Sequence, residues 1–197
     1  MSAPLRVVAV VGTTRSVSKT KALAELIISR LAAHADISAE VIEIHALTPG
    51  LGAAIEREQL DEGAEAAVRA AESADLLIAA TPVFRGSYSG LFKHFFDFVG
   101  QYALAGKPVL LVATGGSDRH AMVIDQALRP LFGFFQAWTA PMGVYLSNGD
   151  FDGTTVLNPE AYERIEVAVS DVIPVARLLA EARAQPVAAR RAGVQGR

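Results

Sequence analysis

The sequence predicts an α/β fold in which a doubly wound parallel sheet carries helices on both faces. Short apolar runs alternate along the chain with longer stretches of helical spacing, the pattern of repeated strand and helix units. Runs such as Val7–Val11 and Leu76–Ala80 are almost continuously apolar, which indicates strands buried on both faces. The chain has 197 residues, a length typical of one domain with a sizeable core.

Five strands and the intervening helices are predicted in chain order. The predicted strands are Val7–Val11, Glu40–His45, Leu76–Ala80, Pro108–Ala113 and Met142–Leu146. The predicted helices are Ser18–Ala33, the acidic stretch that runs up to Ala74, Leu91–Val99, His120–Phe135 and Pro159–Ala184. The second strand alternates polar and apolar residues, which places it near an edge of the sheet. Pro82 cannot donate to a sheet ladder, so the third strand should end there.

Composition limits the class of protein. We expect one domain over residues 1–184 and a flexible tail over 185–197, because the tail lacks any apolar period. The absence of cysteine excludes disulfides, thiolate catalysis and cysteine metal sites. The formal net charge of −3 gives no general attraction to nucleic acid or anionic membrane. Without a membrane-length apolar run or a signal-type N-terminus, the expected location is the cytoplasm.

Three loops fall on one edge of the predicted sheet. With strand order 2-1-3-4-5, ligands bind outside the carboxyl ends of the strands, between the first and third strands of the chain. The loops that reach this edge are Gly12–Thr20, Thr81–Gly90 and Thr114–Ser117. Each loop alone is compatible with an ordinary connection between a strand and a helix. Their convergence on one edge favours a ligand site.

The loop Gly12–Thr20 has the composition of an anion site. It offers hydroxyls, the guanidinium of Arg15, the ammonium of Lys19 and the amides of a helix N-terminus, which together suit a phosphate. It contains neither a Walker A sequence nor Gly-x-Gly-x-x-Gly, so both of those nucleotide fingerprints are absent. The simpler alternative is that Ser18 caps the helix while the basic side chains are solvated.

The other two loops suit a flat ligand. In Thr81–Gly90, two glycines allow close backbone approach, and Phe84 and Tyr88 offer rigid flat faces that suit a planar heteroaromatic ring. In Thr114–Ser117, two further glycines have backbone amides that could meet the edge of such a ring. A plain tight turn would have the same composition.

These segments resemble the NAD(P)H-dependent FMN reductases of flavodoxin-like fold. The resemblance rests on Gly12–Arg15 with Ser18 and Thr20, on Thr81–Lys93 and on Ala113–Ser117. The segments Asp125–Leu131 and Gly143–Tyr145 are similar to the branch that serves two-component sulfonate monooxygenases. The family usually has serine or another small polar residue in place of Thr13. Some members of the branch insert an aromatic, linked to tetramer packing, in the helix that here holds Gln126, so oligomeric behaviour is not implied.

The resemblance implies a set of flavin-binding residues. The FMN phosphate would be held by Thr13, Arg15, Ser18 and Thr20. The ribityl chain and isoalloxazine ring would be lined by Pro82, Val83, Phe84, Arg85, Gly86 and Ser87. The ring would be bordered by Thr114, Gly115, Gly116 and Ser117, with their amides near its pyrimidine edge. No catalytic side chain is expected, because the flavin itself carries the hydride chemistry. No metal site is expected either, because the histidines are isolated.

The expected function is hydride transfer from NADH or NADPH to FMN, with reduced FMN passed to a partner two-component monooxygenase of the sulfonate or sulfone type. Two alternatives stay open: an enzyme that retains FMN and reduces quinones or azo compounds, and a non-catalytic flavin electron carrier or redox sensor. Many aromatic residues in Leu91–Val99 and in 131–138 indicate an apolar face shared between subunits of a homodimer or homotetramer.

Overall fold

The computed structural model of the protein describes residues 3–184, with eight strands and six α-helices. The strands are β1 (Leu5–Val11), β2 (Ile37–Glu43), β3 (Leu76–Pro82), β4 (Pro108–Gly115), β5 (Trp138–Thr139), β6 (Val144–Ser147), β7 (Phe151–Asp152) and β8 (Thr155–Val156). The α-helices are α1 (Lys19–His34), α2 (Gly50–Ala53), α3 (Glu62–Ser73), α4 (Gly90–Asp97), α5 (Arg129–Phe134) and α6 (Pro159–Ala184). The predicted tail over 185–197 lies outside the described residues, and the single-domain boundary stays a prediction. Within residues 3–184, no helix has the length and apolarity needed to cross a bilayer.

The main sheet is parallel and has the spatial order β2-β1-β3-β4-β5, as predicted. The position beside β4 is shared by two short strands. β5 pairs with the start of β4, at Pro108 and Val109, while β6 pairs with its end, from Val112 to Gly115. The predicted fifth strand therefore corresponds to β6 only. An antiparallel pair of β7 and β8 forms a separate small sheet.

The apolar strands separate two hydrophobic cores. Val8 and Val10 of β1 belong to the core that contains side chains of α3, α4 and α5. Val7, Ala9 and Val11 belong to the opposite core, with side chains of α1 and α6. Side chains alternate between the faces of a strand, so a strand buried on both faces needs a continuous apolar run. The doubly wound arrangement thus follows from the composition of the strands.

The edge of the sheet and the end of its third strand are as predicted. β2 pairs with β1 and has mostly exposed or half-buried residues, which explains its alternating sequence. β3 ends at Pro82, which is paired with Thr114 of β4. Pro82 lacks a backbone N–H, and the chain leaves the sheet there to form the loop that follows.

The predicted long helix over 120–135 is broken into three pieces. A short 3₁₀ turn spans Asp118–His120, a π-helical turn spans Ile124–Leu128, and α5 begins only at Arg129. In the π-helical turn the N–H of Arg129 donates to the carbonyl of Ile124, five residues earlier. Pro130 explains the widened turn, because it has no N–H and its ring clashes with the carbonyl four residues earlier in a regular helix.

Core packing accounts for most of the aromatic side chains of α4 and α5. The six phenylalanines buried in the single chain are Phe92, Phe95, Phe96, Phe98, Phe132 and Phe135. All of these rings except Phe98 form a connected cluster, with neighbouring centroids between 4.8 and 6.3 Å apart. Phe134 is different, because 62% of it is exposed. The six buried rings are therefore explained by the core of the single chain. Only the exposure of Phe134 calls for an interface between subunits.

Candidate functional site

Three loops meet at the carboxyl edge of the sheet and are joined to one another by hydrogen bonds. The Ser89 hydroxyl donates to the carbonyl of Gly12 over 2.6 Å, which links the first loop to the second. The N–H of Val83 donates to the carbonyl of Thr114 over 2.7 Å, which links the second loop to the third. The hydroxyls of Thr20 and Thr114 lie 2.6 Å apart and are buried, which links the first and third. The predicted convergence of the loops is present.

The hydroxyls of the first loop hold its shape. Ser18 caps α1 by accepting hydrogen bonds from the N–H groups of Thr20 and Lys21, as the simpler alternative proposed. Thr13 is 4% exposed, and its hydroxyl accepts from the N–H of Arg15 and donates to the carbonyl of that residue. The Thr20 hydroxyl is occupied by Thr114. These three hydroxyls stabilise the bend of the backbone, and Arg15 stands out from it, exposed.

The backbone of the first loop fits a phosphate group. Residues Thr14 to Val17 are exposed and lie just before the N-terminus of a 16-residue helix. Within residues 3–184, the N–H groups of Thr14, Ser16 and Val17 donate to no other group, and the Arg15 guanidinium has no hydrogen-bonding or ion-pair partner. Free N–H groups beside the positive end of a helix and a free guanidinium are the donors that a phosphate prefers. The capping and phosphate interpretations are compatible.

The second loop ends in a tight, strained turn. The N–H of Phe84 donates to the carbonyl of Ser87 over 2.8 Å, and the reverse bond measures 3.1 Å. The two central residues, Arg85 and Gly86, have φ angles of 52° and 84°, as in a type I′ turn. A left-handed conformation is ordinary for Gly86 but unusual for an arginine, and such residues cluster at functional sites. Phe84 is 46% exposed beside this turn.

The third loop has room for a ligand in front of it and an aromatic ring behind it. A side chain at Gly116 would meet no atom within 4 Å, so the space beside this exposed residue is open. A Cβ atom at Gly115 would lie 2.2 Å from the hydroxyl oxygen of Tyr145, so the ring lies close behind the backbone there. That hydroxyl donates to the carbonyl of Ser117 over 2.6 Å. The exposed glycine backbone fits the edge of a flat ring.

Three residues that support the loops were given no role in the site from the sequence: Ser89 and Tyr145, which lie in segments that carry the family resemblance, and Asn148. Ser89 carries a recognisable signal, because a serine before a helical run is typical of an N-cap, and its side chain does accept from the N–H of Phe92. Asn148 accepts from the ammonium of Lys19 over 2.8 Å, across 129 residues of chain. A contact between such distant residues has no local signature.

Burial and hydrogen bonding shift two pKa values behind the third loop. Burial raises the pKa of Tyr145, and the negative charges of Asp118 and Asp150 raise it further. Burial would also raise the pKa of Asp150, but hydrogen bonds from Asn158 and Ser147 outweigh it and lower the pKa below its usual value. The Tyr145 hydroxyl therefore keeps its proton, and Asp150 keeps its charge, through the neutral pH range.

The three loops form an open edge rather than an enclosed chamber. A cavity of about 610 Å³ lies behind the third loop, lined by residues that include Asp118, Tyr145 and Asp150, and none of the predicted flavin-binding residues lines it. Because the loops themselves form the chemically favourable surface, we assign the candidate site to their exposed face. His120 is exposed beside the third loop. Within residues 3–184, no group of three or more metal-binding side chains lies together.

Comparison with known proteins identifies the chain's relatives. The family model described as NADPH-dependent FMN reductase matches residues 5–152. The chain is 47% identical over 175 residues to the NADH-dependent FMN reductase SfnE of Pseudomonas putida, covering 89% of this chain and 94% of that protein. It is 45% identical over 175 residues to an FMN reductase (NADPH) of Pseudomonas aeruginosa, with 89% and 94% covered.

A solved structure shows the same architecture. The apo form of the NADH:FMN oxidoreductase EMOB superposes with a TM-score of 0.77 at 30% identity. The superposition covers 84% of this chain and 87% of that one. The flavodoxin-like fold is thereby confirmed, together with the parallel sheet order.

Proposed function

The chain belongs to the NADPH-dependent FMN reductase family, and we propose that FMN is a substrate that binds, is reduced and dissociates. The reduced FMN is then supplied to a partner monooxygenase. The protein is an oxidoreductase that uses NADH or NADPH with FMN. The partner we propose is a two-component monooxygenase of the sulfonate or sulfone type. The similarity of Asp125–Leu131 and Gly143–Tyr145 to the reductase branch of those systems supports this choice.

The exposure of the site is the observation that carries the proposal. Phe84 is 46% exposed, and Arg85, Gly86, Gly116 and Ser117 are exposed as well. A flavin bound on this face would leave one side of its ring accessible to nicotinamide and would be free to dissociate into solvent. A retained prosthetic group is usually buried over most of its surface. The open edge therefore favours a flavin that leaves.

We propose the following placement of FMN on the three loops. Its phosphate is held by the first loop, at Thr13, Arg15, Ser18 and Thr20, with the hydroxyls shaping the loop and Arg15 and the free N–H groups making the contacts. The ribityl chain and one face of the ring lie along the second loop, at Pro82, Val83, Phe84, Arg85, Gly86 and Ser87. The ring edge faces the third loop, at Thr114, Gly115, Gly116 and Ser117. The hydrogen bonds that join the loops keep these parts in register.

The chain contributes orientation and charge stabilisation. When bound, FMN supplies the ring that accepts the hydride from the nicotinamide. The turn at Phe84–Ser87 is closed by two backbone hydrogen bonds and so offers a rigid surface that limits the position of the ring. In the proposed placement, the amides of Gly115 and Gly116 would donate to the pyrimidine edge, where negative charge would develop during reduction. No side chain has to exchange a proton in this scheme.

The deciding experiment measures oxidation of NADH and of NADPH by the flavin-stripped protein while FMN is titrated through the micromolar range. We expect the rate to saturate only with FMN in excess over enzyme, because the flavin is a substrate that dissociates. The ratio of the two kcat/KM values assigns the nicotinamide preference. Adding a sulfonate monooxygenase and its substrate then tests whether reduced FMN is transferred productively.

Two results of that titration would replace the proposal. Complete turnover at one flavin per subunit, with a quinone or azo dye required as acceptor, would identify an enzyme that retains its FMN. Tight flavin binding without oxidation of either nicotinamide would identify an electron carrier or sensor.

Substitution of Arg15 by alanine is expected to weaken FMN binding by about 10- to 100-fold, because the phosphate loses one charge-assisted hydrogen bond. Riboflavin lacks the phosphate, so its affinity should be unchanged by the same substitution. Titration of both flavins against the protein, followed by quenching of flavin fluorescence, measures the two dissociation constants.

Arg69→Ala is the matched control for this prediction. Its guanidinium lies on α3, is 73% exposed and pairs with Glu65 four residues earlier. Removal of this exposed positive charge should leave the affinities for FMN and riboflavin within about twofold of the wild-type values. Equal weakening of FMN and riboflavin by Arg15→Ala would contradict the phosphate assignment.

Association of subunits is a further part of the proposal. An apolar groove of about 560 Å³ runs beside the exposed Phe134, and its lining includes Leu131 and Val99. Exposed aromatic surface next to such a groove is typical of a protein interface. We propose that a homodimer or homotetramer covers it.

A further inference from the structure

Tyr145 lies where it can control the shape of the third loop. It belongs to β6, is paired with Ala113 of β4 and is 8% exposed. A Cβ atom at Gly115 would lie 2.2 Å from its hydroxyl oxygen and 3.1 Å from Cζ. The ring therefore occupies the space that any side chain at 115 would need, and glycine is required there for the contact to exist.

The hydrogen bond from Tyr145 anchors the backbone just beyond the end of β4. Its hydroxyl donates to the carbonyl of Ser117 over 2.6 Å, and the same carbonyl accepts from the N–H of His120 over 3.2 Å. Within residues 3–184, Tyr145 provides the side-chain hydrogen bond to the segment Gly115–Ser117. Gly116 and Ser117 are exposed, and a side chain at Gly116 would have no neighbour within 4 Å. Gly115 is also held by its pairing with Ser147 of β6, so the hydrogen bond from Tyr145 mainly fixes the backbone that follows, at Gly116 and Ser117.

We infer that Tyr145 is a positioning residue, which orients the backbone amides beyond β4, that of Gly116 above all, toward the flavin edge where charge develops on reduction. This inference rests on the proposed flavin placement. Amides that are correctly aimed stabilise a reduced, negatively charged ring more than an oxidised, neutral one, because the hydrogen bonds become charge-assisted. The raised pKa of the Tyr145 hydroxyl keeps it a donor to Ser117 throughout the neutral range.

The test compares Tyr145→Phe with Tyr162→Phe in the full chain. Tyr162 is a close match, because its hydroxyl also donates to a backbone carbonyl, that of Val156, over 2.9 Å. Dissociation constants are measured for oxidised FMN in air and for reduced FMN under anaerobic conditions. For Tyr145→Phe we expect about tenfold weaker binding of reduced FMN and at most about threefold weaker binding of oxidised FMN. For Tyr162→Phe both constants should stay within about twofold.

A second variant keeps the inference open to refutation if Tyr145→Phe affects folding. Gly115→Ala should displace the tyrosine hydroxyl. Like Tyr145→Phe, it should weaken the binding of reduced FMN more than the binding of oxidised FMN. Equal weakening of both redox forms, or no weakening, would overturn the positioning role while leaving the proposed site intact. Wild-type protein that binds neither form at millimolar FMN would instead reject the site itself and the inference with it.

Discussion

Replacing Gly12 with alanine is expected to lower the free energy of unfolding by about 2–3 kcal/mol and to weaken FMN binding by at least about tenfold. A Cβ atom at this position would lie 2.7 Å from Cδ2 and 2.8 Å from Cβ of Phe92. Phe92 is fully buried, with the rings of Tyr88 and Phe96 at 5.9 and 4.8 Å, so it has little freedom to move. The backbone of Gly12 is equally fixed, because its carbonyl accepts from Ser89. Urea unfolding and flavin titration measure the two effects.

Gly133→Ala is the control for this substitution. Gly133 lies inside α5, and an added Cβ atom would meet nothing within 4 Å. Alanine is the better helix former, so this variant should be more stable by about 0.5–1 kcal/mol. If Gly12→Ala unfolds at the same urea concentration as the wild type, the close approach of the first loop to α4 is not a requirement of the fold.

Phe96→Ala is expected to lower the free energy of unfolding by about 3–5 kcal/mol, because it leaves a cavity at the centre of the aromatic cluster. Phe96 is 1% exposed, and its ring centroid lies 4.8 Å from that of Phe92 and 5.0 Å from that of Phe132. The substitution therefore removes contacts between α4, which follows the second loop, and α5. Urea unfolding at constant m-value measures the loss.

Phe134→Ala separates the core from the proposed interface. This phenylalanine is 62% exposed in the single chain, so its truncation should change the unfolding free energy of a monomer by no more than about 0.5 kcal/mol. Sedimentation of the same variant shows whether subunit association depends on this face. A loss for Phe96→Ala as small as that for Phe134→Ala would argue against a close-packed aromatic core.

The alternation of strands and helices was predictable from the sequence because it follows from short-range composition, whereas the strand order came from the flavodoxin-like fold that the sequence resembles. A run such as Val7–Val11 specifies a strand buried on both faces, whatever lies elsewhere in the chain. Alternation of such strands with helices specifies a doubly wound sheet, and the loops after the strands then share one edge. The break of β3 at Pro82 is likewise a property of one residue.

The parts that sequence patterns missed depend on geometry between distant residues. The sequence predicted one continuous helix over 120–135, but Pro130 forces a π-helical turn before α5. The short strand β5 has only two residues, too few for a periodic signal. The local sequence around Tyr145 is that of an ordinary strand. Its contact with the backbone of Ser117 could not be predicted, because it depends on the pairing of β6 with β4.

The hydrogen bond between Thr20 and Thr114 joins residues 94 positions apart, and β6 supports the site from still later in the chain. During synthesis the first loop is made early, yet the third loop and its tyrosine anchor are translated long afterwards. A ribosome-bound chain that ends before β6 has the first loop, but it lacks the strand that carries Tyr145 behind the third loop. With FMN placed on the three loops as we propose, flavin binding would be a late event in the synthesis of the chain, and FMN would stabilise only the complete fold.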